Sequence, residues 1–479
     1  MRAWARLLQV LLPAVCVAAA VAAAVEEKTA GKASKAAPGN ATTQAPAPAP
    51  EKERPRVPDD KNTCIACHGS PDWAETLEPA QEHLIVSPKH VAADIHWQKG
   101  LRCQDCHGGD ATADDFGPAH GGNGGLHSIK PRDLPEFCGN CHADIDFMRR
   151  YNPSPRVDQL REYWTSGHGQ RLKATGDPDV ATCISCHDKP HGGGPSPGTH
   201  GIREVADLQS PVYRTNVART CAKCHSDAKR MAGRQYHGRP IGHDQHERWR
   251  KSVHAQALLE KGDLSAPTCN NCHGNHGAVP PQVDSVANAC GICHGKVASL
   301  FAQARMKHRF EEVGLPGCAT CHGSHDIGKP SDEMLGMTPG AVCLQCHENR
   351  KYGATLAGAE VARTLRAGLD RLNQEIGEAR EKIAGADRLG MEVRGPRFDL
   401  RKATDALTAA RVAIHSFSVP PVQASLAQGT EVADEVLQRA NAALEEHTSR
   451  RVWLAASLVP IVLVIVLLLL YIRSMPARD

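Results

Sequence analysis

One short motif, C-x-x-C-H, occurs nine times in this chain of 479 residues. The nine pairs of cysteines are Cys64 and Cys67, Cys103 and Cys106, Cys138 and Cys141, Cys183 and Cys186, Cys221 and Cys224, Cys269 and Cys272, Cys290 and Cys293, Cys318 and Cys321, and Cys343 and Cys346. The histidines that end the motifs are His68, His107, His142, His187, His225, His273, His294, His322 and His347. The motifs use eighteen of the 19 cysteines and leave only Cys16.

The spacing of this motif fits covalent attachment of haem. Two cysteines three residues apart lie on one helical turn and can form thioethers to the two vinyl groups of a haem, while the next imidazole reaches the iron. Zinc sites and disulfides explain cysteine pairs but do not need the histidine. With 26 histidines in 479 residues, chance would place one there about one time in twenty, yet all nine copies have it. We therefore predict nine haem c groups with the motif histidines as proximal iron ligands.

The composition predicts that the haems themselves form the core. Aromatic residues make up only 4% of the chain, and about 35 residues separate successive motifs, too few for a separate domain around each haem. Short helices joined by irregular loops are expected. The predicted fold class is mainly α with much irregular loop: a haem-packed multihaem cytochrome domain, a C-terminal helical hairpin or bundle and one transmembrane helix. The formal charge of +3 gives no sign of a nucleic-acid partner.

Both ends of the chain contain an apolar segment that predicts export or membrane insertion. Residues 1–24 have early arginines, an apolar stretch and small residues before Glu26, which predicts a secretory signal peptide, with an uncleaved anchor as the alternative. Residues 452–472 form an uncharged segment long enough to cross a bilayer as a helix. Because the N-terminal body would be exported, residues 473–479 are predicted to be a cytoplasmic tail. The expected location is the periplasmic side of the bacterial cytoplasmic membrane, anchored in the lipid bilayer by this single C-terminal helix.

The segment between these ends divides by composition. Residues 25–60 are rich in Ala, Pro and charge and predict a disordered linker. Residues 61–350 hold every motif and form the predicted nonahaem domain. Residues 351–450 predict a helical stalk or docking domain, because apolar residues such as Leu365, Leu369 and Ile376 recur at helical spacing. A second helix is expected near Phe398 to His415, with a break at Pro420 and Pro421 before a third that leads into the membrane.

The haem region contains an internal repeat of two motifs. The segments "YWTSGHGQRLKATGDPDVATCISCH" and "RWRKSVHAQALLEKGDLSAPTCNNCH" are close copies, each with a histidine 15 positions before the first cysteine. Each such motif is followed by a histidine with a shared signature, as in "HGI" at His200 and "HDI" at His325. We therefore predict one single haem at Cys64 followed by four two-haem units.

Each two-haem unit also supplies two further histidines, which predicts a second imidazole for every iron in the units. The candidate distal ligands are His90, His96, His127, His168, His200, His254, His276, His308 and His325. His276 is too close to its own motif to reach the opposite face of that haem and is expected to serve a neighbour. For the haem at Cys64, His90, His83 and His415 remain alternatives, whereas His120, His191, His237, His243, His246 and His447 are interpreted as ordinary polar residues.

On these motifs the chain resembles the multihaem c-type cytochromes of the respiratory electron-transfer class. The resemblance covers about Cys64 to His347. It implies electron transfer between the quinone pool and terminal reductases or other cytochromes in anaerobic respiration. In the similar membrane-bound tetrahaem quinol dehydrogenases the anchor precedes the haems, whereas here it follows them. We therefore expect a separate quinol-oxidising membrane partner, such as a cytochrome b-type or iron–sulfur subunit.

The alternative function is a multihaem reductase of the nitrite, hydroxylamine, tetrathionate or sulfite class. Such an enzyme needs one iron with an open position, and related nitrite reductases often replace the motif histidine by lysine. All nine motifs here end in histidine, so the predicted role is that of an electron carrier, and no catalytic residue is assigned.

Overall fold

The computed structural model describes residues 58–78, 84–121, 129–188, 200–236, 238–279 and 284–474. Residues 57–479 form one compact unit. The predicted signal peptide, nearly all of the predicted linker, most of the predicted tail, and His83, His127, His191 and His237 lie outside the described residues.

The motif region consists of short helices joined by loops, as the close spacing of the motifs predicts. Its α-helices are Thr63–His68, Pro71–Ala74, Pro88–Ala92, Ile95–Gln98, Cys103–His107, Phe116–Gly121, Leu134–His142, Ile145–Arg149, Gln159–Thr165, Gly167–Thr175, Cys183–His187, Val217–His225, Ala228–Met231, Gln245–Arg250, Val253–Leu259, Cys269–His273, Gly295–Ala302, Arg305–Glu312, Ala319–His322 and Leu344–His347. The 3₁₀ helices of the described chain are Asp59–Lys61, Pro131–Asp133, Val286–Ile292, Asp332–Met334, Lys351–Gly353 and Ile414–Ser416. Two-residue strands Gln235–Tyr236 and Arg239–Pro240 pair antiparallel.

Some of the helices that carry the motifs begin with side-chain caps. The backbone N–H of Thr182 donates to Ser185 Oγ at 3.0 Å, and that of Thr268 donates to Asn271 Oδ1 at 2.9 Å. These bonds start a helix at Cys183 and at Cys269, the first cysteines of their motifs. The two cysteines and the histidine therefore lie on about one turn, as attachment to a single flat ring requires.

The C-terminal part is a bundle of three helices, Leu356–Arg388, Arg394–Ala413 and Val419–Ser474. Fully buried side chains from all three helices form its core, including Leu369, Leu407 and Val436. The first helix ends at Arg388 and is followed by Gly390, which has a φ of 75°, and Phe417 with a φ of 51° precedes the third helix. Pro420 and Pro421 lie in the first turn of that third helix, where proline is tolerated because those N–H groups need no helical partner.

The third bundle helix continues without interruption into the apolar segment. An 18-residue window within Val419–Ser474 has a mean hydropathy of 3.0, and none of that window is buried within the protein. The large apolar side chains from Val452 to Ile472 are all exposed. The length and composition of this helix are therefore compatible with a membrane anchor.

Close packing of the bundle predicts the effect of one substitution. A side chain at Gly429 would begin 2.6 Å from Leu372 Cδ2 and 3.2 Å from Ala406 Cβ, whereas nothing lies within 4 Å of the corresponding point at Gly377. We expect Gly429→Val to lower the free energy of unfolding by about 1–3 kcal/mol through overpacking. Urea unfolding followed by far-ultraviolet circular dichroism measures this effect. Gly377→Ala is the control and should raise stability by roughly 0.5–1 kcal/mol, because alanine is the better helix former; equal effects of the two variants would contradict the packing.

Candidate functional site

Among the described residues, eight of the nine motif histidines face a histidine from outside the motifs. The ring centroids of each pair are 5.9–6.4 Å apart. The pairs are His68 with His120, His107 with His200, His142 with His96, His187 with His276, His225 with His168, His273 with His325, His294 with His254, and His322 with His415.

This spacing fits an iron atom between the two rings of each pair. An imidazole nitrogen binds a metal at about 2 Å, so two nitrogens on opposite sides of one iron place the ring centres about 6 Å apart. Direct stacking of two rings would bring their centres closer, and a hydrogen bond would aim one ring nitrogen at the other. The free cysteines of each motif lie on the same turn as its histidine. The residues present therefore fit haem c with two axial histidines.

Hydrogen bonds orient several of these rings for iron binding. The Nδ1–H group of His68 donates to the carbonyl oxygen of Leu84 at 2.8 Å. The Nδ1–H group of His415 donates to the carbonyl oxygen of Val412 at 3.1 Å. His96 Nδ1 lies 3.0 Å from Asp94 Oδ1. When the proton is held at Nδ1, Nε2 carries the free electron pair, and this tautomer of imidazole binds a metal through Nε2.

Burial keeps the paired rings neutral. Burial, followed by the neighbouring His276 and His142, lowers the pKa of His187 to about 4. Burial is also the first cause that lowers the pKa of His168, with nearby His225 second. Because only the neutral imidazole can bind iron, this environment favours ligation.

The cavity around these pairs is continuous over six motifs. It has a volume of about 3130 Å³ and is lined by the motifs from Cys64 to His273. One sixth of that volume is about 520 Å³, within the roughly 300–1,000 Å³ typical of cofactor sites. In the part of the chain that the structure describes, no group of three or more His, Cys, Asp or Glu side chains is arranged to hold a bare metal ion. The site is thus suited to large flat groups.

The motifs follow one another in space in their sequence order. The first cysteines of neighbouring motifs lie close enough to interact in four pairs, which are Cys64–Cys103, Cys138–Cys183, Cys221–Cys269 and Cys290–Cys318. The second cysteines approach each other at the intervening junctions, which are Cys106–Cys141, Cys186–Cys224, Cys272–Cys293 and Cys321–Cys346. Two kinds of junction therefore alternate from the first motif to the ninth.

These contacts are close enough to perturb the thiols. The hydrogen bond from Cys103 is the main cause that lowers the pKa of Cys64 to about 7. Burial, with the charge of Cys141 next, raises the pKa of Cys106 to about 11. The thiol pairs link motifs one and two, three and four, five and six, and seven and eight. This grouping is shifted by one motif from the predicted units, because the thiols join neighbouring units.

The distal histidines also connect units, through two series. In the first series, a helix that lies just before one motif supplies a histidine to the motif after that one. His168 lies before the fourth motif and faces His225 of the fifth, and His254 lies before the sixth motif and faces His294 of the seventh. Histidines that follow a motif face an earlier motif, as His325, in the segment "HDI", does for His273. The backbone joins the series, since Ile95 N donates to Ile202 O at 2.7 Å and Val253 N donates to Ile327 O at 2.9 Å. The shared isoleucine thus holds two distal ligands side by side.

Six of the predicted distal histidines lie opposite a motif histidine, namely His96, His168, His200, His254, His276 and His325. The structure differs at three other positions. His120, interpreted as a polar residue, faces His68, and His415, considered for the first haem, faces His322 instead. His308, a candidate ligand, is 71% exposed and lies 3.8 Å from Glu311. His90 is exposed on helix Pro88–Ala92, and His127 lies outside the described residues.

Sequence reasoning missed His120 because His127, in the segment "HSI", was chosen as the histidine that follows the second motif. The spacing of His120 offers a signal, since it lies 13 residues after His107, just as His200 lies 13 residues after His187. His415 was separated from the motifs by the whole first bundle helix, so only the tertiary structure assigns it to His322.

The bundle meets the motif region at one end. Phe417 packs against Phe301 with ring centroids 6.1 Å apart, and Arg411 forms an ion pair of 2.7 Å with Asp332. His347 Nδ1 lies 2.9 Å from the carbonyl oxygen of Thr355, at the start of the first bundle helix. The eighth and ninth motifs therefore lie at the end of the bundle farthest from the apolar segment.

Comparison with known proteins supports the interpretation of this region. No curated protein and no solved structure matches the chain. Residues 263–348, which contain the last four motifs, match the family model described as cytochrome c3, and this match supports a multihaem c-type cytochrome.

Proposed function

We propose that this chain is a membrane-anchored periplasmic cytochrome with nine haem c groups that relays electrons in anaerobic respiration. The carrying observation is the set of eight facing histidine pairs, which involve every motif from His68 to His322. Haem iron supplies one-electron redox chemistry when it is bound. The chain would contribute the order of the sites, the cysteines that tether the haems and, at eight motifs, a second imidazole beside that of the motif histidine.

Facing histidines favour electron transfer over substrate chemistry. An iron held by two imidazoles changes its ligands little between oxidation states and has no vacant position for a substrate. Eight motifs have such a partner within 6.4 Å between ring centroids. This arrangement supports a carrier more strongly than a reductase of the nitrite, hydroxylamine, tetrathionate or sulfite class.

The bundle supports a membrane partner for electron entry. Between Val419 and Arg451 the third bundle helix rises by about 48 Å at 1.5 Å per residue. His415, which faces the eighth motif histidine, lies just before that rise. A quinol in the bilayer is therefore far from this end of the array, and electron tunnelling falls steeply with distance. A quinol-oxidising subunit with redox groups of its own would bridge the gap, and other cytochromes or a terminal reductase would accept the electrons.

Haem counting and paramagnetic resonance test the proposed function. We expect the purified chain to carry nine covalent haems by mass and by chemical haem assay, with low-spin iron in all eight motifs that have a facing histidine. Reconstituted alone in liposomes, it should be reduced slowly by a quinol analogue, and a membrane quinol oxidase partner should accelerate that reduction. A haem count below nine, or high-spin iron in more than one-ninth of the haem, would contradict the relay and favour the reductase.

A further inference from the structure

Three distal histidines occupy the same place in their helices. His96, His168 and His254 each lie two residues after the residue that caps the helix. The caps are Asp94, Ser166 and Ser252, and all three are buried. A buried cap fixes the start and the rotation of the short helix, so the second residue after it always points to the same side.

Helix Arg305–Glu312 is a fourth copy of this element. Its N-terminal flanking residue, Ala304, is buried like the three caps. Six residues after this position lie the buried side chains of Leu172, Leu258 and Phe310. Ten residues after it lie three glycines with nearly equal positive φ, which are Gly176 at 62°, Gly262 at 69° and Gly314 at 68°. The register of the fourth copy follows from both its buried face and its end.

In this register the position of the distal histidine is occupied by Met306. Met306 is half-buried, as His96 and His254 are. His308 lies two residues further on, where the other copies have the exposed Gln170 and Gln256. Residues two apart on a helix point to nearly opposite sides. His308 therefore lies on the outer face, where its side chain is 71% exposed.

The same comparison assigns the motif that this position serves. The helix before the fourth motif supplies a ligand to the fifth, and the helix before the sixth supplies one to the seventh. Helix Arg305–Glu312 precedes the eighth motif, so its ligand belongs to the ninth, at His347. Arg309, three residues after Met306 and on a neighbouring part of the helix surface, donates from Nε to the carbonyl oxygen of Tyr352 at 2.6 Å. That carbonyl lies five residues after His347, so the helix is in contact with the segment that follows the ninth motif.

We propose that the thioether sulfur of Met306 is the distal ligand of the haem at Cys343 and Cys346, opposite His347. This inference rests on covalent haem attachment at the ninth motif, as in the proposed function. Methionine with histidine gives a low-spin iron of higher reduction potential than two histidines do. The last position of the array, next to the bundle, is then the most readily reduced of the nine.

Optical and redox measurements on the full detergent-solubilised chain test this ligand. The oxidised protein should show the far-red sulfur-to-iron charge-transfer band of histidine–methionine haem, with the intensity of one haem in nine. Met306→His should abolish the band and move one-ninth of the redox titration to lower potential, with all iron still low-spin. Met306→Ala should convert one-ninth of the haem to a high-spin form that binds carbon monoxide.

His308→Ala is the matched control, because His308 is on the same helix and is the rival ligand. It should leave the band, the titration and the spin state unchanged. Absence of the band from the unmodified protein, or a new high-spin haem in His308→Ala, would overturn the assignment to Met306. Haem counting separates this failure from failure of the proposed function, since nine haems with no histidine–methionine band would leave the relay intact.

Discussion

Deletion of residues 452–479 is expected to release the proposed periplasmic cytochrome from the membrane fraction into the soluble periplasm with its haem content unchanged. The deleted segment begins with the exposed apolar part of the third bundle helix. Fifteen of the residues from 452 to 472 are Leu, Ile or Val, and at about −0.3 to −0.6 kcal/mol each they favour insertion by roughly 5–9 kcal/mol. The core of the bundle lies before this segment, with Ala440 near its end. Fractionation followed by haem staining measures the release.

A shorter deletion separates the anchor from the tail. Removal of residues 475–479 alone leaves the apolar segment whole and should leave the protein in the membrane fraction. The N-terminal segment, residues 1–24, is the rival anchor if it is not cleaved. Retention of the 452–479 deletion in the membrane after a carbonate wash would therefore contradict a sole C-terminal anchor and point to the N-terminus.

The parts of the molecule that are encoded locally could be predicted from the sequence. The spacing of Cys269, Cys272 and His273 places all three on one helical turn whatever surrounds them. The bundle helices follow from the repeat of apolar residues such as Leu365, Leu369 and Leu372, which are all buried. The third helix begins at Val419, before the predicted break, because Pro420 and Pro421 fit into its first turn.

The distal pairing could not be predicted in the same way, because it joins residues far apart in the chain. His107 and His200 are 93 positions apart, as are His322 and His415, and spacing alone cannot select such partners among 26 histidines. Residue type was also misleading. His308 matches the expected chemistry, but the buried Ala304 and Phe310 set a helix rotation that turns it outward. Alignment of Gly314 with Gly176 and Gly262 would have revealed the register from the sequence.

Replacement of His415 with alanine is expected to expose the iron of the eighth haem and leave the other haems unchanged. The His415 and His322 rings lie 6.2 Å apart and within 20° of parallel. His415 is held on the turn between the second and third bundle helices by its bond to Val412 O. Without it, one-ninth of the iron should become high-spin in paramagnetic resonance and should bind carbon monoxide after reduction. Added imidazole should restore the low-spin form, because it can enter the space that the side chain leaves.

Two further variants decide which haem has lost its ligand. His447→Ala, on the third bundle helix, should have no effect on spin state and controls for the loss of a histidine from the bundle. His120→Ala should open the first haem, since His120 faces His68, and the double variant should then show two-ninths of the iron as high-spin. If His415 served the first haem instead, the double variant would show no more high-spin iron than His415→Ala alone. Additive signals therefore place the link between the bundle and the array at the eighth haem, where loss of one side chain both opens an iron and removes a contact between the two parts.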